Sequence, residues 1–205
     1  MKKDKKDKKD KKDKKDQLAL PKEQVDLVLG LYSSGKINEA IDNIKALNEN
    51  YPNVPLLFNL LGACYNTLGQ LDAAVQMFKT AFTIKPNYAE AYFNHGIALR
   101  ELGQLDLAVQ SYLTAIDLIP NYPEAHNKLG IAYIDLNQYD DSIEHFEWAV
   151  AYKHDFAEAY NNLGVAHRKK GQIQSAIKNF EKAIEINASY TLAHSNLEAT
   201  REELE

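Results

Sequence analysis

The chain has 205 residues, 45% of them hydrophobic and 26% charged, with a formal net charge of −5, six histidines and one cysteine. That is enough apolar material for a packed core, while the single thiol excludes an intramolecular disulfide framework. No apolar run approaches the roughly 18 residues that a membrane-spanning helix needs.

The first element is a charge run. Residues 2–16 are five copies of Lys-Lys-Asp, +5 in all, which leaves 14 basic and 24 acidic residues, a balance of −10, for the rest. Ordering such a run would cost backbone entropy with no apolar burial to offset it, so residues 1–20 read as a disordered low-complexity tail. Its lysines allow contact with nucleic acid or an anionic surface. Every third residue is an acid that dilutes the field, however, so a solvated arm without a specific partner is the expectation. Only Leu18-Ala19-Leu20 stands before Pro21 where a secretory signal needs a longer apolar core, and the sequence reads as cytoplasmic.

From Pro21 onward the sequence repeats every 34 residues, in copies spanning 21–54, 55–88, 89–122, 123–156 and 157–190. The eighth place holds Gly62, Gly96, Gly130 and Gly164, with Val28 in the fainter first copy. Small residues also hold the tenth place (Gly30, Cys64, Ala98, Ala132, Ala166) and the twentieth (Ala40, Ala74, Ala108, Ser142, Ala176). Large ones hold the fourth (Phe58, Tyr92, His126, Tyr160) and the twenty-fourth (Phe78, Tyr112, Phe146, Phe180). A fixed period with small residues where helices touch and bulky ones beside them marks a stacked helical array.

Within each copy a first helix ends at Gly35, Gly69, Gly103, Asn137 or Gly171, residues that tolerate the left-handed conformation. A second helix starts near Asn38, Asp72, Asp106 or Asp140, and Pro52, Pro86 and Pro120 follow it. Asn53, Asn87, Asn121, Asp155 and Ser189 then stand where a side chain could cap the next first helix, and Glu90, Glu124 and Glu158 three residues later predict a capping box in three copies.

These residues resemble tetratricopeptide repeats over roughly 21–190. The resemblance implies an all-α fold, a right-handed α-solenoid of stacked antiparallel helix pairs, with residues 191–205 as a C-terminal capping helix. The first copy departs at Gln24 and Val28, as an end repeat without an outer neighbour does.

Nothing in the pattern points to chemistry. Cys64 occupies a small packing place, and the histidines fall at scattered places with no pair at i, i+4, so no metal site is expected. Phosphate loops and nucleophile elbows are absent from the sequence, and the acids are scattered, so neither catalysis nor a cofactor nor a small-molecule substrate is expected.

What remains is surface. On the first helices the second, fifth, sixth, ninth, twelfth and thirteenth places share one side by the 3.6 period, the side expected to line the concave wall. The candidate groove residues there are Asn59, Phe93, Asn94, Ile97, Asn127, Lys128, Ile131, Asn161, Asn162, Val165 and Arg168. Asparagine amides can grip a peptide main chain through C=O and N–H alike. The row is similar to the asparagine ladder in the repeat arm of O-linked N-acetylglucosamine transferases, matched at Asn94, Asn162 and Asn196 and interrupted at Leu60 and Lys128. The carboxylate clamp of chaperone adaptors is not reproduced, since acid stands at Glu124 where that clamp has a base. The expected function is a non-catalytic scaffold that binds a protein or peptide segment in its groove. The alternative is the substrate-recognition arm of a larger enzyme of the glycosyltransferase, sulfotransferase or oxygenase type, because the chain stops at Glu205 inside a helical pattern.

Overall fold

A computed structural model describes residues 20–203, so the expectation for the Lys-Lys-Asp run lies outside the described residues. Eleven helices and no strand occur among them: α1 (Lys22–Ser33), α2 (Ile37–Asn50), α3 (Pro55–Thr67), α4 (Leu71–Ile84), α5 (Ala89–Glu101), α6 (Leu105–Leu118), α7 (Pro123–Asp135), α8 (Tyr139–Tyr152), α9 (Ala157–Lys169), α10 (Ile173–Ile186) and α11 (Thr191–Glu202). Each 34-residue copy is one helix pair, which makes the chain an all-α solenoid.

The turn inside each pair follows from one backbone requirement. Gly69 has φ +70° and Asn137 φ +60°, and the residue after each bonds back five positions, Gln70 N–H to the Tyr65 carbonyl at 2.9 Å and Gln138 N–H to that of Tyr133 at 2.8 Å. That is the Schellman closure, which requires a left-handed residue at this point. Asn137 meets it without glycine, and its side-chain oxygen accepts a hydrogen bond from the Tyr139 hydroxyl at 2.8 Å.

The predicted capping boxes do not form. The N-cap residues of α3, α5, α7, α9 and α11 are Val54, Tyr88, Tyr122, Phe156 and Tyr190, one position later than expected, and no side-chain cap bond forms at any described helix. The polar residue instead belongs to the preceding turn: Asn53 itself has φ +63°. Glu124 and Glu158, freed from capping, pair with lysines, Lys153 just past the end of α8 and Lys128 on α7. Prolines are also dispensable as stops, since α8 and α10 end at the same place in the copy as the helices that Pro52, Pro86 and Pro120 follow.

The described residues divide at Lys85 and Pro86 into two compact units. In the first, α1–α4 enclose Val28, Ile37, Ile41, Ile44, Leu57, Leu61 and Cys64. Cys64 is buried, and burial pushes its thiol pKa up, as a packing role requires. In the second, α5–α11 stack so that Tyr112, Phe146 and Phe180 lie wholly buried between first and second helices. A Cβ added at Gly96, Gly130 or Gly164 would come within 2.6–2.7 Å of that ring, so the glycine exists because the aromatic lies flat against the first helix. The first copy solves the same contact differently: Val28 and Ile44, both buried, replace the glycine and the ring.

Candidate protein-interaction face

The first helices α5, α7, α9 and α11 lie side by side within the second unit, and their hydrogen bonds show the register. The Asn162 side-chain N–H donates to Asn127 Oδ1 at 3.0 Å, and that of Asn196 to Asn161 Oδ1 at 2.8 Å. Both pairs are 35 residues apart, the repeat length plus one. The same interval joins Arg100 Nε to Asp135 at 2.6 Å and Arg168 to Glu203 at 2.5 Å. Within the first unit it joins the hydroxyls of Tyr32 and Thr67 at 2.9 Å. Neighbouring first helices thus meet with a one-residue stagger, through a fifth-to-sixth and a twelfth-to-thirteenth pair.

This arrangement divides the sequence-predicted residues. Asn127 and Asn161 are 0% and 1% exposed and sit beneath the face. Asn127 also donates to Glu158 Oε1 at 3.0 Å, so its amide is engaged on both sides. Their role in the structure is to hold the neighbouring helix in register. Asn59, 8% exposed, belongs to the first unit. Asn94 and Asn162 are half-buried, as are Phe93, Ile97, Lys128, Ile131, Val165 and Arg168, and these form the accessible row.

The charges on the row are mostly paired. Lys128 Nζ lies 3.2 Å from Glu158 Oε1, Lys153 donates to Glu124 at 3.1 Å, and Arg168 is held by Glu203. Ile131 packs against the Phe146 cluster and Val165 against the Phe180 cluster, so each shows one side to solvent and braces the core with the other. At the α5 end Phe93 lies 5.0 Å from Tyr122 and 6.1 Å from Tyr112, ring centre to ring centre. Burial, aided by the carboxylates of Glu90 and Glu124, pushes the Tyr122 hydroxyl up to about 12. At the other end a cleft of about 420 Å³ is lined by Val165, Arg168, Lys169, Asn196 and Glu203.

The sequence reading did not assign Asp135, Glu158, Asn196 and Glu203 the pairing between helices that the structure gives them. Complementary polar residues 35 apart in the sequence were the available signal. Among the described residues no group of three or more His, Cys, Asp or Glu is placed so that it could hold a metal ion, and no helix is long and apolar enough to cross a membrane.

Comparison with known proteins places this architecture. Profiles described as TPR repeat match residues 62–99, 96–135 and 131–171, and one described as Tetratricopeptide repeat matches 157–190. The chain is a tetratricopeptide-repeat protein. The crystal structure of MamA is 28% identical to it, with a TM-score of 0.71 over 79% of this chain and 95% of that one. MamA 41-end from Desulfovibrio magneticus RS-1 is 24% identical, with a TM-score of 0.73 over 82% and 96%. YrrB, described as a TPR protein with an unusual peptide-binding site, is 21% identical, with a TM-score of 0.69 over 89% and 93%. The last two share its fold. No curated protein matches the sequence significantly. The tetratricopeptide-repeat fold is that of a protein-interaction scaffold.

Proposed function

We propose that this tetratricopeptide-repeat protein is a non-catalytic scaffold that holds a segment of another protein on the face formed by α5, α7 and α9. One observation carries the reading: the half-exposed residues at the fifth, sixth and ninth places of α5, α7 and α9 combine four apolar side chains, Phe93, Ile97, Ile131 and Val165, with two amides, Asn94 and Asn162, and one lysine, Lys128. The buried Asn127 and Asn161 contribute indirectly, by fixing the helices that present the row. An apolar strip edged by polar side chains suits an extended or helical polypeptide, whose side chains fill the strip while its polar groups meet that edge. That YrrB is described as having a peptide-binding site agrees with this use of the fold.

The test is a partner isolated on the full chain and then titrated against variants. Ile131→Arg and Val165→Arg place charge on the strip and are expected to abolish binding with the circular dichroism spectrum unchanged. Asn94→Ala with Asn162→Ala is expected to weaken it, and Lys178→Glu on the opposite helix of the last pair to leave it intact. Undiminished affinity in both arginine variants refutes the assignment.

A further inference from the structure

The third copy breaks the pattern of the face in one corner. Where the fifth place carries asparagine in Asn59, Asn127 and Asn161, it carries Phe93. That ring is half-buried, tilted 40° against Tyr122 at 5.0 Å, and shows its outer side on the row next to Asn94 and Ile97. Two carboxylates raise the pKa of the Tyr122 hydroxyl of this pair, Glu90 from the first turn of α5, three residues before Phe93, and Glu124 from the first turn of α7, two residues after Tyr122.

The two acids are not equivalent. Glu124 takes Lys153, and its counterpart Glu158 takes Lys128. Glu90 is exposed and has no ion pair or hydrogen bond of its own among the described residues. The place that supplies Lys153 to Glu124 holds Ile119 in the third copy, so the sequence provides no lysine there for Glu90. The N-terminal dipole of α5 favours an acid at this point, but it leaves the outward carboxylate oxygens unused.

We propose that this corner takes a lysine or arginine side chain of the segment held on the face, which rests on the reading of that face as the binding surface. The aliphatic stem lies along Phe93 and Ile97, and the cation sits over the Phe93–Tyr122 rings with Glu90 as its counter-ion. An aromatic face with an adjacent carboxylate is the arrangement that attracts such a head group, while the stem keeps its apolar contacts. The net charge of −10 outside the Lys-Lys-Asp run favours encounter with a basic partner over an acidic one.

A random peptide library displayed on phage and selected on the immobilised full chain tests this. Selected sequences are expected to share a lysine or arginine at a fixed distance from an apolar residue. For a synthetic peptide of that kind, Glu90→Gln and Phe93→Leu should each lower affinity about two- to fivefold. Both effects should vanish for the same peptide with its basic residue replaced by alanine, and affinity should fall as salt rises. Full affinity in Glu90→Gln and Phe93→Leu, with binding abolished by Val165→Arg, overturns the cation subsite and leaves the face standing. Binding that survives both Val165→Arg and Ile131→Arg, or a selection that enriches no sequence, overturns the face and the subsite together.

Discussion

Substituting Gly130 by alanine sets two effects of similar size against each other, and the structure decides between them. Alanine is the better helix former by about 1 kcal/mol, and in an ordinary helix interior it would stabilise α7. Here the added Cβ would lie 2.7, 2.8 and 2.9 Å from three atoms of the Phe146 ring, where carbon atoms prefer roughly 3.5–4.0 Å. The ring has no room to retreat, because it is wholly buried against Leu163 and Ala166 with Ile131, Ile134, Ile143 and Val150 packed around them. Overpacking of this kind costs about 1–3 kcal/mol, so Gly130→Ala should be destabilising on balance, by about 1 kcal/mol.

The first copy supplies the compensation. Val28 and Ile44 occupy the two corresponding places and are 1% and 0% exposed, so a branched aliphatic residue in place of the ring leaves space for a side chain opposite. Phe146→Ile alone should open a cavity and cost about 1–2 kcal/mol. The double variant should lose less than the sum, with a coupling of about 1 kcal/mol or more in urea denaturation followed by circular dichroism. Costs that simply add to within about 0.5 kcal/mol, or a neutral Gly130→Ala, would show that the ring does not dictate the glycine.

Four further outcomes can be measured on the same preparation. Tyr112→Phe should stabilise by about 1 kcal/mol, raising the melting temperature by about 2–4 °C, because the Tyr112 hydroxyl is buried with no hydrogen-bond partner and the second, fourth and fifth copies use phenylalanine there; a lower melting temperature would mean that the hydroxyl is satisfied. Asn127→Ala should cost about 1–3 kcal/mol, since it strands the Asn162 amide that now donates to it, and an unchanged urea midpoint would refute the register role. His126 donates from Nε2 to the Pro120 carbonyl and so accepts at Nδ1 from His145, 3.1 Å away. Burial lowers both pKa values, opposed at His145 by Asp141 and Glu144. The folded state therefore binds fewer protons than the unfolded one, and stability should be full above about pH 6.5 and fall as pH drops below it; that slope should shrink in His126→Tyr with His145→Asn. Removing residues 2–16 should leave the melting temperature unchanged, because that run holds no apolar side chain to pack.

The parts of the fold legible in the sequence are those where a single residue has a single physical reason. Gly69 and Asn137 are readable because few residues accept φ near +60–70°, and Gly130 because a ring arrives at a known spacing. The caps were misjudged where that uniqueness fails. An asparagine before a helix serves equally as a cap or as a left-handed turn residue, and Asn53 takes the second role while Val54 occupies the N-cap.

The face shows the same division. Helical periodicity assigns Asn127, Asn161 and Asn162 to one side of their helices, but it cannot say how close the next helix comes. The next first helix comes close enough to bury Asn127 and Asn161 and to leave Asn162 half-exposed, with a one-residue stagger that turns a fifth place into the acceptor for a sixth. Depth on such a surface is thus set by the stagger between copies, which a single copy does not contain. Phe93 follows as the exception: a side chain without an amide cannot serve as that acceptor, so at the one place in the second unit where the ladder is broken, Lys128 turns to Glu158 and an aromatic ring faces outward beside an uncompensated carboxylate. The charge pairs that join α7 to α8 and α9 thus have no counterpart in that corner, where Glu90 makes no ion pair among the described residues.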